Sequence, residues 1–123
     1  MNVKKLQNSV KLLKDDLGEG LMAADIYSSE DGQSIVGINS NPQACALFNR
    51  ITNYLREALK AAGFPLLGRH YMIDLTGGHM VVVIPLGDYQ WVMMLDMKKI
   101  QLGLLLNIVL PKVVDAFEDA LAE

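Results

Sequence analysis

The stretch Arg69-His-Tyr-Met-Ile-Asp-Leu-Thr-Gly-Gly-His-Met-Val-Val-Val-Ile-Pro-Leu-Gly-Asp-Tyr-Gln-Trp-Val-Met-Met-Leu-Asp96 decides the fold. It contains three runs rich in β-branched and aromatic residues, 69–76, 79–86 and 89–96, separated by Gly77-Gly78 and Gly87-Asp88. Such dipeptides suit tight hairpins because glycine reaches positive φ without a steric penalty. An antiparallel meander follows. With two-residue loops, Thr76 pairs with His79 and Leu86 with Tyr89. One face then holds Tyr71, Ile73, Leu75, Met80, Val82, Ile84, Trp91, Met93 and Leu95 and is wholly apolar. The other mixes Met72, Val81, Val83, Val92 and Met94 with His70, Asp74, Thr76, His79, Gln90 and Asp96.

Upstream of the meander, Asn41-Pro42 supplies an N-cap followed by proline at the first helical turn, and Gly63 and Pro65 stop the helix between them. Its expected core side is Ala44, Leu47, Phe48, Ile51, Leu55, Ala58, Leu59 and Ala62, with Asn49, Asn53, Arg56, Glu57 and Lys60 on the solvated side. Tyr54 and Ala61 widen the apolar side beyond the usual stripe of roughly 100°, which leaves room for a second packing partner. Further upstream, residues 21–28 and 33–38 read as two strands joined by Ser29-Glu30-Asp31-Gly32, a type I turn closed by a left-handed glycine. Val3, Leu6, Val10, Leu13 and Leu17 give the first helix its apolar side. Downstream, residues 100–121 form a last helix, and Pro111 predicts a kink or break because it removes a backbone bond to Asn107 and clashes with that turn.

The order is α-β-β-α-β-β-β-α. This predicts an α+β fold, a five-stranded antiparallel sheet between helices, forming one domain over residues 1–123. Size agrees, since a chain of 13.6 kDa should expose about 6,600 Å² when folded and bury roughly two thirds of its extended surface. With 51% hydrophobic and 20% charged residues, the sequence is too apolar for the disordered class.

Charge and cysteine content narrow the function. The net charge is −3 and the arginines, Arg50, Arg56 and Arg69, form no dense basic run, so nucleic acid is not an expected partner. Cys45 is the single cysteine, which excludes an internal disulfide and a cysteine-based metal site and fits a reducing compartment. As a small residue on a helix it reads as core. The N-terminal segment has charges every few residues and neither the apolar run nor the small-residue site of a signal peptide, and is expected to begin the mature chain. The longest apolar stretch, Leu102 to Leu110, is interrupted by Gly103 and Asn107 and falls short of the roughly 20 residues a membrane span needs. A cytoplasmic protein without membrane insertion is expected.

Chemistry is sparse. On the two-residue-loop register His79 stands opposite Asp96, with Asp74 and Thr76 near the same end, the beginning of an acid–base pair without a nucleophile. A cross-strand polar pair beside a turn is the favoured reading of it. His70 and His79 are separated by most of a hairpin, and Gly77-Gly78 precedes no helix, so neither a metal nor a phosphate site is expected. No catalytic residue and no cofactor is assigned. The acidic C-terminus, Asp115, Glu118, Asp119 and Glu123, reads as a solvated helix end. The methionines Met22, Met72, Met80, Met93, Met94 and Met97 lie mostly on strands and read as core filling.

The element order, the Gly20-Leu-Met-Ala-Ala-Asp-Ile-Tyr-Ser-Ser strand with its Glu-Asp-Gly turn, and the Pro-capped middle helix together resemble the Roadblock family, that of MglB-like proteins and dynein light chain roadblock-type domains. Leu86-Gly-Asp-Tyr-Gln-Trp-Val-Met-Met-Leu and Leu102-Gly-Leu-Leu-Leu carry the same likeness, which spans nearly the whole chain. Pro111 and the Gly-Phe-Pro-Leu-Leu-Gly connection after the middle helix depart from it or vary it. The resemblance implies a noncatalytic homodimer in which the middle helix and the strand after it meet their symmetry mates. On this sequence these are 41–62 and 69–76, with Arg50, Asn53, Tyr54, Glu57, Arg69, His70, Tyr71, Met72, Ile73 and Asp74 as interface residues. It also implies a small Ras-like GTPase as partner, since bacterial and archaeal members similar to MglB bind such GTPases and can stimulate hydrolysis by reshaping the GTPase's own loops. Arg50, Arg56 or Arg69 acting as an arginine finger is the less favoured mechanism. Two other readings stay open: a ligand-sensing module with a pocket between sheet and helices, and a small enzyme built on His79 and Asp96.

Overall fold

In the computed structural model, which describes residues 1–122, the first helix, α1 (Val3–Leu17), starts at Asn2, whose side chain accepts a hydrogen bond from Lys5 N–H. A short 3-10 turn at Gly18–Gly20 leads into β1 (Leu21–Ser28), and the hairpin partner is β2 (Ser34–Ile38). The turn between them closes at Gly32, φ 73°, as its sequence requires. Next comes α2 (Pro42–Ala61), with Asn41 accepting from Ala44 N–H. It ends in a Schellman motif: Gly63 is left-handed, Phe64 N–H donates to Leu59 O and Gly63 N–H to Lys60 O. The meander is β3 (Tyr71–Leu75), β4 (His79–Leu86) and β5 (Tyr89–Asp96). The chain closes with α3 (Leu102–Leu104), a π turn (Leu105–Val109) and α4 (Leu110–Leu121). Glu123, read as part of the acidic end, lies outside the described residues.

The strands form one antiparallel sheet in the order β2-β1-β5-β4-β3. This is the α+β architecture expected. Its main core lies on the face covered by α1 and α4, where Leu6, Leu13, Val113 and Phe117 meet Ile26, Ile84, Trp91, Met93 and Leu95. The Phe117 ring stands edge-on to Trp91 with centroids 5.5 Å apart, an arrangement favoured by the ring quadrupoles. Lys5–Asp119 and Asp16–Lys112 bridge α1 to α4 at 2.9 and 2.8 Å. A smaller cluster on the opposite face, Tyr27, Cys45, Val81, Val83 and Val92, lies under α2. The accessible surface is 6926 Å², close to the value expected for the mass.

Two features correct the sequence reading of the meander. The strand expected at 69–76 spans only Tyr71–Leu75, so Arg69 and His70 precede it. The β3–β4 loop also has three residues, Thr76, Gly77 and Gly78, because Leu75 and not Thr76 faces His79. Gly78 O is engaged by Met97 N–H at 2.8 Å, and the Thr76 carbonyl lies 3.2 Å from His79 Nδ1. A one-residue slip turns every side chain of a strand to the other face. Tyr71, Ile73 and Leu75 therefore join Val81 and Val83 on the α2 side, and Met72 packs against the main core. The β4–β5 register, Leu86 with Tyr89 and His79 with Asp96, is as expected.

The last helix departs from one part of the expected kink or break at Pro111. No break occurs at Pro111: Leu104, Leu105, Val109 and Leu110 all keep right-handed helical dihedrals. The preceding turn widens instead to π geometry, and Leu110 N–H donates to Leu105 O five residues back. Pro111 then falls in the first turn of α4, where a missing N–H costs little.

Candidate functional site

The middle helix does not lie on the sheet by its apolar side. Of α2, the buried residues are Cys45, Asn49 and Thr52. At about 100° per residue these three span only about 60°, whereas Ile51, Leu55 and Ala58 lie roughly 80–140° around from Cys45. Asn49, read from the sequence as solvated, is thus a correction, and hydrogen bonding is its reason. Asn49 Nδ2 donates to Ser29 O at 3.0 Å, and Asn49 Oδ1 accepts from Gln90 Nε2 at 2.8 Å. Gln90 Nε2 also donates to Ser29 Oγ, while Gln90 Oε1 accepts from the Tyr27 hydroxyl at 2.7 Å. Every polar atom of the wholly buried Gln90 amide is satisfied, which is what a buried polar network requires. Thr52 completes the seam through a 2.7 Å bond to the Tyr71 hydroxyl of β3.

Desolvation sets the ionisation of this seam. Burial pushes the hydroxyls of Tyr27 and Tyr71 above the usual tyrosine range. The Cys45 thiol is pushed up to about 12, by burial first and then by the adjacent Asp25 carboxylate. Asp25 itself is buried and accepts from Ser34 Oγ at 2.7 Å, from Ser40 Oγ, and from Asn41 N–H at 3.0 Å, which pins the start of α2 to β1 and β2. Cys45 is therefore a protonated core thiol.

Because the polar stripe of α2 faces the sheet, its apolar stripe faces outward. Tyr54 is 73% exposed and Leu47 45% exposed, with Ile51 and Leu55 half-buried beside them. The connection leaving α2 adds Phe64 and Leu66, 62% and 75% exposed. Next to this helix, β3 is one of the two edges of the sheet. Of the residues singled out from the sequence, Arg50, Asn53, Tyr54 and Glu57 are exposed on α2, and Tyr71, Met72 and Ile73 are half-buried on β3 with Asp74 exposed. Arg69 and His70 immediately precede β3. Arg69 pairs with Asp115 and Glu118 of α4 at 3.2 and 3.1 Å, and both residues line a cleft of about 300 Å³ against Leu106, Leu110 and Val114.

The other two readings can be placed as well. His79 and Asp96 stand opposite each other, but each has a local partner: His79 Nδ1 is near Thr76 O, and Asp96 Oδ1 accepts from Lys98 N–H at 3.0 Å. Asp74 is paired with Met80 and lines, with Leu75, Thr76 and His79, an open cleft of about 520 Å³. Between α2 and the sheet, an apolar groove of about 240 Å³ runs along Met22, Ala44, Phe48 and Met94, below the usual range for small-molecule pockets. Among the described residues no three His, Cys, Asp or Glu side chains come together so as to hold a metal ion, and no helix is long and apolar enough to cross a membrane.

An antiparallel sheet with two helices on one face, and on the other a helix presenting its apolar stripe to solvent, defines a Roadblock-type fold. MglB from Myxococcus xanthus superposes with a TM-score of 0.83 over 98% of this chain and 90% of that one, at 14% identity. A Roadblock/LC7 domain from Streptomyces avermitilis gives 0.68 over 95% and 98% at 13% identity, and the gliding protein MglB from Thermus thermophilus gives 0.73 over 94% and 90% at 13% identity. No family model and no curated protein matches the sequence.

Proposed function

We propose that this chain is a noncatalytic homodimeric module that regulates or scaffolds a small Ras-like GTPase in the cytoplasm. The observation that carries the reading is the roll of α2, which places Leu47, Ile51, Tyr54 and Leu55 outward beside the open edge of β3. An apolar helix stripe and an unpaired strand side by side favour a two-fold partner that covers both at once. The exposed residues Arg50, Asn53 and Glu57 then rim the seam, and Tyr71, Met72, Ile73 and Asp74 line its strand. The likeness to MglB and to a Roadblock/LC7 domain supports the GTPase partner. The mechanism is a population shift, in which a rigid dimer face binds one arrangement of the GTPase switch loops better than the other.

Sedimentation equilibrium tests the dimer. A mass of twice 13.6 kDa is expected, falling to a single chain when Leu47→Glu and Tyr54→Glu charge the exposed stripe, with the helical circular dichroism retained. A single chain at high concentration overturns the reading. Nucleotide turnover by a Ras-like GTPase tests the mechanism with Arg50→Ala, Arg56→Ala and Arg69→Ala. Arg69 is already engaged by α4, and turnover is expected to survive each change. A selective collapse at unchanged affinity would show an arginine finger instead.

A further inference from the structure

The sheet has a second edge, and its surroundings differ from those of β3. β2 pairs with β1 on one side only, so its outer side presents unpaired N–H and C=O groups. A groove of about 480 Å³ runs between this edge and α1. Its β2 wall is Ile35, Val36 and Ile38, half-buried, and its α1 wall is Val10, Lys11 and Lys14. The groove is lined by two cations and no anion, although the chain as a whole carries −3. Lys14 Nζ donates to Gly18 O, and Lys11, exposed, makes no ion pair among the described residues.

We propose that this edge accepts an extended acidic segment of a partner protein, which adds to β2 as a sixth strand while its carboxylates meet Lys11 and Lys14. Main-chain hydrogen bonds to the open edge supply affinity in strand addition, and side-chain surroundings supply choice. Here the surroundings are an apolar floor flanked by positive charge. Side chains at i and i+2 of a strand share a face, so acidic residues two apart both turn toward the lysines of α1 while the residues between them point to the other face of the sheet. The same lysines disfavour pairing of two β2 edges from two copies of this chain, because lysine would be brought toward lysine. The two edges thus take different partners: a like edge at β3, an acidic strand at β2.

The test is titration of the nitrogen-15-labelled chain with a blocked peptide of alternating Glu and Val, and with its Lys–Val counterpart. Amide shift changes are expected over 34–38 and 10–14, for the Glu peptide alone, and they should weaken as salt is raised. Gln7→Glu with Lys11→Glu, both exposed and leaving Lys14 in place, should weaken binding by about tenfold. Lys98→Glu, at the far hairpin end, should leave it unchanged. Shifts that fall elsewhere, equal binding of the Lys–Val peptide, or binding indifferent to the double variant would overturn the proposal. So would a concentration-dependent gain in mass abolished by the double variant, since a second copy would then occupy the groove.

Discussion

Thr52 of α2 and Tyr71 of β3 are joined by a 2.7 Å hydrogen bond between their hydroxyls. It ties the outward-rolled helix to the strand at the sheet edge. Tyr71→Phe leaves the buried Thr52 hydroxyl without this partner and is expected to cost about 1–2 kcal/mol. Adding Thr52→Val should cost less than the sum of the two single changes, because no orphaned group remains. Urea unfolding at fixed protein concentration measures this, and strict additivity would contradict it.

Gly37 and Gly103 should respond to alanine with opposite sign. A Cβ at Gly37 would collide with Asp25 Oδ1, the atom that accepts from Ser34 and Ser40, so Gly37→Ala is expected to destabilise by about 1–3 kcal/mol. At Gly103, in the exposed α3, a Cβ meets nothing within 4 Å, and Gly103→Ala should stabilise by up to about 1 kcal/mol through helix propensity. Paired thermal melts decide between these signs.

The raised Cys45 thiol makes stability fall on the alkaline side. Folding lifts this group from 9.0 to about 12, so between those values the unfolded chain holds fewer protons than the folded one. Stability is therefore full below pH 9 and declines as pH rises above it. Tyr27 and Tyr71, raised in the same direction, extend the decline above pH 10. Urea midpoints at pH 7, 8, 9 and 10 should show a plateau and then a fall, with Cys45→Ala shallower between 9 and 10. In the native protein the thiol should also resist alkylation at pH 8 and react once urea unfolds the chain.

Phe117 fills the main core against the single tryptophan. Phe117→Ala is expected to cost about 3–5 kcal/mol and to shift Trp91 emission to the red as water reaches the ring. An unshifted spectrum in a folded variant would mean that the core has closed over the gap.

Much of the architecture was written locally. Asn41-Pro42 and Gly63 bounded α2, Gly32 and Gly87-Asp88 placed two turns, and the apolar alternation set the β4–β5 register, because caps, glycine dihedrals and period-two burial act within a few residues. Three decisions were not local. The β3–β4 loop took a third residue, and Gly78 O also accepts from Met97, nineteen positions away along the chain. Pro111 was absorbed by a π turn in the packed helix layer. Asn49 and Thr52 turned inward because Gln90, Ser29 and Tyr71 offered hydrogen bonds that helical periodicity cannot anticipate. That last choice sent the apolar stripe of α2 to the surface beside β3, so the candidate site exists only once distant polar groups have met.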